Sequence, residues 1–137
     1  MLQIQKYDSK YSNKVKQILS SAFNVNPFVI NLNNSKNYMI IYSKDIIDTN
    51  IEKYIIGFIS IKQKDNELQI WNFAIDQKYR GKGFGSKVIK SVQNILGQKN
   101  IRLFVKNLPF PEMFTKRLQF YRKMGFIEIS RKNIFNN

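Results

Sequence analysis

The sequence predicts an α/β fold: a mixed, mostly antiparallel central sheet with flanking helices. Three observations carry that expectation. Short strand-like runs alternate with amphipathic stretches at helical spacing, so helices and strands share one core. Asp65-Asn66 sits between two strong strand-like runs, a pair suited to a hairpin turn, so those two strands should run antiparallel. A Gly-rich turn then leads from the second of them into a helix and a further strand, and a strand that follows such a crossover returns parallel.

The elements follow in order. Residues 2–6 alternate as a short strand. Ser9 or Ser12 can cap a helix to about residue 23, with Val15, Ile18, Leu19 and Ala22 on one face. Residues 24–37 are Asn-rich, contain Pro27 and read as irregular structure with room for a short helix. Residues 38–43 read as a strand, 45–50 as a turn or loop, 53–62 as a strong strand, and 67–76 as its antiparallel neighbour. Residues 86–96 carry Val88, Ile89, Val92, Ile95 and Leu96 at helix spacing, and Gly97 is a natural stop. A strand is expected over 101–106, a Pro-marked loop at Pro109 and Pro111, a helix over 114–124 ending at Gly125, and a closing strand over 126–131. Repeats and Gly/Ser/Pro-rich linkers are absent from the sequence, and 137 residues with 43% hydrophobic content fit one domain spanning 1–137.

Composition narrows the chemistry. Without Cys or His, disulfides, thiolate nucleophiles, histidine bases and the usual zinc sites are excluded. Nine acids without a dense cluster argue against a carboxylate metal site. No apolar run approaches the roughly 20 residues that span a bilayer, and residues 1–10 show no leader-like apolar region; the expectation is a soluble, cytoplasmic protein. The net charge is +14, from 23 Lys and Arg against nine Asp and Glu, which favours anionic partners. Codon bias of an AT-rich genome accounts for plentiful Lys, Asn, Ile, Tyr and Phe, but not for so few acids. Aromatic residues fall mostly at core periodicities and do not alternate with Lys or Arg as a stacking platform would, so nucleic acid is a weaker partner than a phosphate-bearing cofactor.

The turn Arg80-Gly81-Lys82-Gly83-Phe84-Gly85-Ser86 has the chemistry of a pyrophosphate cradle. The first N–H groups of a helix lack intrahelical partners and the helix dipole favours an anion there. Glycines let a phosphate approach the backbone, and Arg80, Lys82 and Lys87 surround the turn with positive charge. A P-loop requires Ser or Thr after Gly-Lys, and Lys82 is followed by Gly83. A dinucleotide turn requires G-x-G-x-x-G and an acid about 20 residues on, where this chain is neutral or basic.

Those residues resemble the GNAT family of N-acetyltransferases. Arg80-Gly81-Lys82-Gly83-Phe84-Gly85 matches its signature of Arg or Gln, two residues, Gly, one residue, then Gly or Ala. The run Phe73-Ala74-Ile75-Asp76-Gln77-Lys78-Tyr79 resembles the family's fourth strand leading into that turn. Tyr121-Arg122-Lys123-Met124-Gly125-Phe126 is similar to its late motif of a helical Tyr ahead of Gly-Phe. The order of elements agrees from Leu2 to Arg131. The resemblance implies acetyl-CoA lying where the fourth and fifth strands splay. The backbone of Phe73, Ala74 and Ile75 would meet the pantetheine arm and the acetyl carbonyl. Arg80, Gly81, Lys82, Gly83, Phe84, Gly85 and Ser86 would hold the pyrophosphate. Tyr121 would be the general acid for the departing thiolate, and the acetyl group would pass directly to a primary amine in a ternary complex. No metal is implied.

The chain departs from the family at three places. Gln69 stands where relatives often carry a Glu base, which leaves Glu67, a water, or a carboxylate of the substrate as candidates. Counting by twos along the strand places Glu67 on the face of Gln69, and Trp71 on the face of Phe73 and Ile75. Phe114 and Arg117 stand where relatives often have Asn and a small residue, Asn107 lies further back, and 108–113 reads as a local insertion. The readings beside transfer are a cofactor-binding module without activity and a basic nucleic-acid binder. The acceptor is a small-molecule or peptide amine, and one bearing negative charge suits a basic surface. A monomer or a homodimer fits equally.

Overall fold

The computed structural model describes residues 2–23, 26, 36–43, 50–64, 67–97, 100–103 and 111–127. Five strands form one sheet in sequence order: β1 (Leu2–Lys6), β2 (Lys36–Tyr42), β3 (Ile55–Lys64), β4 (Glu67–Ile75) and β5 (Asn100–Leu103). Neighbours are antiparallel except β4 and β5, which run parallel. The mixed, mostly antiparallel sheet expected from the sequence is the one observed. Lys64 pairs with Glu67, in keeping with the hairpin; residues 65–66 themselves lie outside the described residues, as do most of 24–37 and 44–49. The last expected strand is described only at 126–127, without regular structure, and the strand expected over 101–106 only as far as Leu103.

Helices cover both faces. Asp8 accepts from the Lys10 backbone N–H at 3.0 Å and opens a 3₁₀ turn, after which α1 (Ser12–Phe23) continues. Its Val15, Ile18, Leu19, Ala22 and Phe23 pack on Met39, Ile41, Ile55, Phe58 and Ala74. On the other face α2 (Phe84–Leu96) and α3 (Pro111–Lys123) cover Ile40, Ile56, Ile59, Ile61, Leu68, Ile70 and Phe73 with Val88, Ile89, Val92 and Tyr121. Each large aliphatic or aromatic side chain so buried contributes about 1.5–3 kcal/mol, so the inner strands β2, β3 and β4 are held from two sides. Ser60, buried in β3, donates to Asn37 Oδ1 at 2.7 Å, which meets its polar requirement inside the sheet.

Two helix starts differ from the sequence expectation. α2 begins at Phe84, two residues early, because Gly83 takes a left-handed conformation (φ 81°) and serves as its N-cap. α3 begins at Pro111, inside the stretch expected as a loop. A proline suits the first turn of a helix, where its missing N–H is not needed.

Candidate active site at the end of β4

The β4 strand changes phase midway. Ile61 pairs with Ile70 and Ile59 with Phe73, so Trp71 and Asn72 together stand opposite the single residue Ser60. This is a β-bulge, a device that bends a strand and re-aims its side chains. Leu68 and Ile70 before it, and Phe73 and Ile75 after it, all belong to the cluster under α2 and α3, whereas Ala74 belongs to the cluster under α1. Counting by twos from Ile75 therefore misplaces the residues ahead of the bulge. Trp71 does not share the face of Phe73; it lies under the Lys62 ammonium, 4.9 Å from its ring centre.

Pairing of β4 with β5 is described from Glu67↔Asn100 to Ile70↔Leu103. On the half of β4 after the bulge, side chains meet two of the carbonyls. Arg80 Nε donates to Ile75 O at 2.9 Å, and Arg117 reaches Phe73 O at 3.5 Å. The expected cofactor-binding segment is thus met by two guanidinium groups.

Beyond Ile75 the chain makes a 3₁₀ turn capped by Asp76, whose side chain accepts from the Lys78 N–H at 3.3 Å. It then passes Gly81 (φ 76°) and Gly83 (φ 81°) and enters α2. No side chain caps α2, so the N–H groups at its start face outward in the manner that suits an anion. At Gly81 and Gly83 a Cβ would meet nothing within 4 Å among the described residues; backbone conformation, not space, calls for glycine. Gly85 differs. A Cβ there would come within 2.7 Å of the Phe120 ring, so this glycine lets α3 sit against the first turn of α2. Lys82 lies 5.6 Å over the Tyr79 ring, and Phe84 is buried against Tyr42 and Tyr79. Ser86 lies in the first turn of α2 and is half-buried.

Tyr121 is buried beneath this end of β4, between the rings of Phe120 and Phe126. Burial pushes its phenol up to about 12, against the opposing pull of Arg117, which is also its hydrogen-bond partner. Arg117 itself spans the molecule. Its two terminal nitrogens reach Phe73 O on β4 and Ala22 O on α1, the latter at 2.9 Å, and its guanidinium lies 4.5 Å over the Phe23 ring. The family comparison marked Arg117 only as a departure. Its i, i+4 spacing from Tyr121 is the signal that could have found it.

Glu67 is not brought to this place. It lies six residues before Phe73, which the bulge shortens to the five-residue span from Lys64 to Ile59 on β3, about 17 Å at ~3.3 Å per residue. Its carboxylate is held by Arg102 Nε at 3.0 Å and accepts from Gln69 Nε2 at 3.3 Å. Gln69 shares that end. Among the described residues, no group of acids could hold a metal ion, and no helix is long and apolar enough to cross a membrane.

A mixed sheet with one parallel pair, whose fourth strand is bulged and runs into a glycine turn, defines an acyltransferase type of fold. The sequence over residues 36–128 matches the acetyltransferase (GNAT) domain, and the chain belongs to that family. No curated protein matches it. Solved structures resemble it at low identity. The ribosomal-protein-S18-alanine N-acetyltransferase from Escherichia coli aligns with a TM-score of 0.67 at 16% identity, covering 95% of this chain and 80% of that one. A GNAT-family acetyltransferase from Staphylococcus aureus aligns at 0.66 and 18%, covering 97% and 88%. A GNAT-family acetyltransferase from Elizabethkingia anophelis with acetyl-CoA bound aligns at 0.63 and 19%, covering 99% and 86%.

Proposed function

We propose that the protein transfers the acetyl group of acetyl-CoA to a primary amine by direct attack in a ternary complex. One observation carries the reading: the start of α2, the carbonyls of Phe73 and Ile75 at the end of β4, and the Tyr121 phenol adjoin one another in a member of the acetyltransferase family. The residues fit the donor. The outward N–H groups at the start of α2 and the cations Arg80, Lys82 and Lys87 suit a diphosphate. Arg80, now on Ile75 O, would turn to it. The backbone of Phe73, Ala74 and Ile75 would line the pantetheine, whose amides can replace the Arg80 donor on Ile75 O. The thioester supplies an activated acetyl group. Tyr121, with its proton held firmly by burial, gives that proton to the sulfur as it leaves. Without a Cys nucleophile no acetyl-enzyme is expected. In this reading Glu67 stands outside the transfer step, since Arg102 holds it at the other end of β4, where the pair ties β4 to β5.

The test is turnover of Tyr121→Phe. Thiol release with a broad amine panel should fall about 100-fold, the scale of one general acid, while calorimetric acetyl-CoA affinity stays within about 2-fold. Unchanged turnover sinks the acid assignment. Acetyl-CoA binding by the wild type without turnover on any amine would make this a binding module.

A further inference from the structure

Arg117 is a cation in an unusual place. It stems from α3, crosses the end of β4 at Phe73 and ends on the last turn of α1 at Ala22. It therefore ties helices on opposite faces of the sheet, passing the half of β4 where the reaction would occur. Two carbonyls, the Phe23 ring and the Tyr121 hydroxyl surround its guanidinium. The charged group felt beside it is another cation, Arg80, and among the described residues no carboxylate neutralises it. A half-buried cation whose partners are carbonyls, a ring and a neutral hydroxyl is costly unless an anion forms beside it. Reaction at Tyr121 would form one.

We propose that Arg117 is the positioning residue of the acid: it fixes the Tyr121 hydroxyl beside the end of β4 and compensates the charge of the phenolate. The inference rests on Tyr121 being the acid. The step balances within the site. Tyr121 gives its phenolic proton to the sulfur, which leaves with the bonding pair as the amine nitrogen bonds to the acetyl carbon. The phenolate then takes the proton that the nitrogen sheds. No further reactant is required, which suits a site to whose centre no carboxylate is brought among the described residues.

The electrostatics agree in direction. A phenol near 12 gives a proton uphill to a thiolate whose acid has a pKa of about 8.5. Arg117 opposes the rise caused by burial. Among the described residues, the charged group acting on the phenol is Arg117 on its own helix, with Arg80 behind it from the glycine turn, and the rings of Phe120 and Phe126 flank it. Two backbone anchors and the Phe23 ring hold the guanidinium, so the charge is in place before it is needed, as preorganised stabilisation requires.

The experiment compares Arg117→Met, Arg117→Lys and Tyr121→Phe with two acetyl donors. One is acetyl-CoA; the other is an acetyl thioester of an aryl thiol, whose acidic leaving group needs no proton. Arg117→Met should lower kcat with acetyl-CoA by about 10-fold or more, as one lost charge partner of an acid would. It should leave KM for acetyl-CoA little changed and lose most of its deficit with the aryl thioester, with Arg117→Lys in between. A readout without turnover is ¹⁹F NMR of a fluorotyrosine placed at position 121. Its ionisation should move up by about one pH unit or more in Arg117→Met. An equal deficit with both donors, or an unmoved phenol titration, overturns the proposal. If Tyr121→Phe itself keeps full turnover, the acid reading fails first. If it loses turnover with the expected donor dependence while Arg117→Met does not, only the role of Arg117 fails.

Discussion

Tyr121 joins packing and chemistry in one side chain. As a core aromatic it fills the space between Phe120, Phe126 and the sheet. As a phenol it must stay protonated there, and burial holds its pKa up at about 12. In the unfolded chain the same phenol ionises near 10. Between those values the folded state keeps a proton that the unfolded state has lost, so raising the pH favours unfolding. The stability is fully present below about pH 10 and is lost as the pH approaches about 12. Two units at ~1.4 kcal/mol each make this about 3 kcal/mol. Tyr121→Phe lacks the group. Urea unfolding from pH 8 to 12 should therefore show wild type losing more stability than the variant, by about 3 kcal/mol, with all the difference above about pH 10. Parallel curves would mean that the phenol is solvated and the assigned burial wrong.

At the scale of elements, the bulge and the glycine opposite the end of β4 set the site. Gly57 of β3 pairs with Ile75, and a Cβ there would stand 2.6 Å from Ala74 O and 3.0 Å from the Ile75 side chain. The obstacle is backbone, which cannot turn aside as a side-chain end can. Gly57→Ala should cost about 3 kcal/mol in urea unfolding with an unchanged m-value, the upper part of the range for overfilling a packed core. The strand must give way at 74–75, just before the glycine turn, so acetyl-CoA affinity should fall with stability. A loss under about 0.5 kcal/mol would show that β3 and β4 are looser here than their pairing implies. The strands themselves were legible because Ile55, Ile56, Phe58, Ile59 and Ile61 write a β run and Asp65-Asn66 writes its end. The bulge was not, because apolar residues at both Ile70 and Trp71 blur the phase, and only pairing with β3 decides it. The start of α2 was hidden likewise, since Gly85 weighs against a helix by propensity and is kept for the approach of Phe120.

For the whole molecule, legibility followed distance along the chain. The glycine turn was readable because its N–H groups, glycines and cations are contiguous from Arg80 to Lys87. The Arg117 tether was not, because its partners Phe73 and Ala22 lie 44 and 95 residues away. Net charge belongs to this scale as well, and +14 has two explanations with different consequences. If it is only compositional, it keeps the protein soluble and leaves ligand binding alone. If it serves the proposed function, it raises the concentration of a polyanionic donor near Arg80, Lys82 and Lys87, by a field that salt screens. The screening length falls from about 10 Å at 0.1 M to about 3 Å at 1 M. Acetyl-CoA affinity, measured calorimetrically from ~0.05 to ~0.5 M NaCl, should then weaken about 10-fold. Acetyl-pantetheine, which keeps the thioester arm but lacks every phosphate, should bind with a flat salt profile, because it has no charge for the field to act on. Equal slopes for the two would place the charge outside the binding event and return the +14 to solubility, whereas a slope for acetyl-CoA alone that shrinks in Lys82→Gln would locate the effect at the turn before α2.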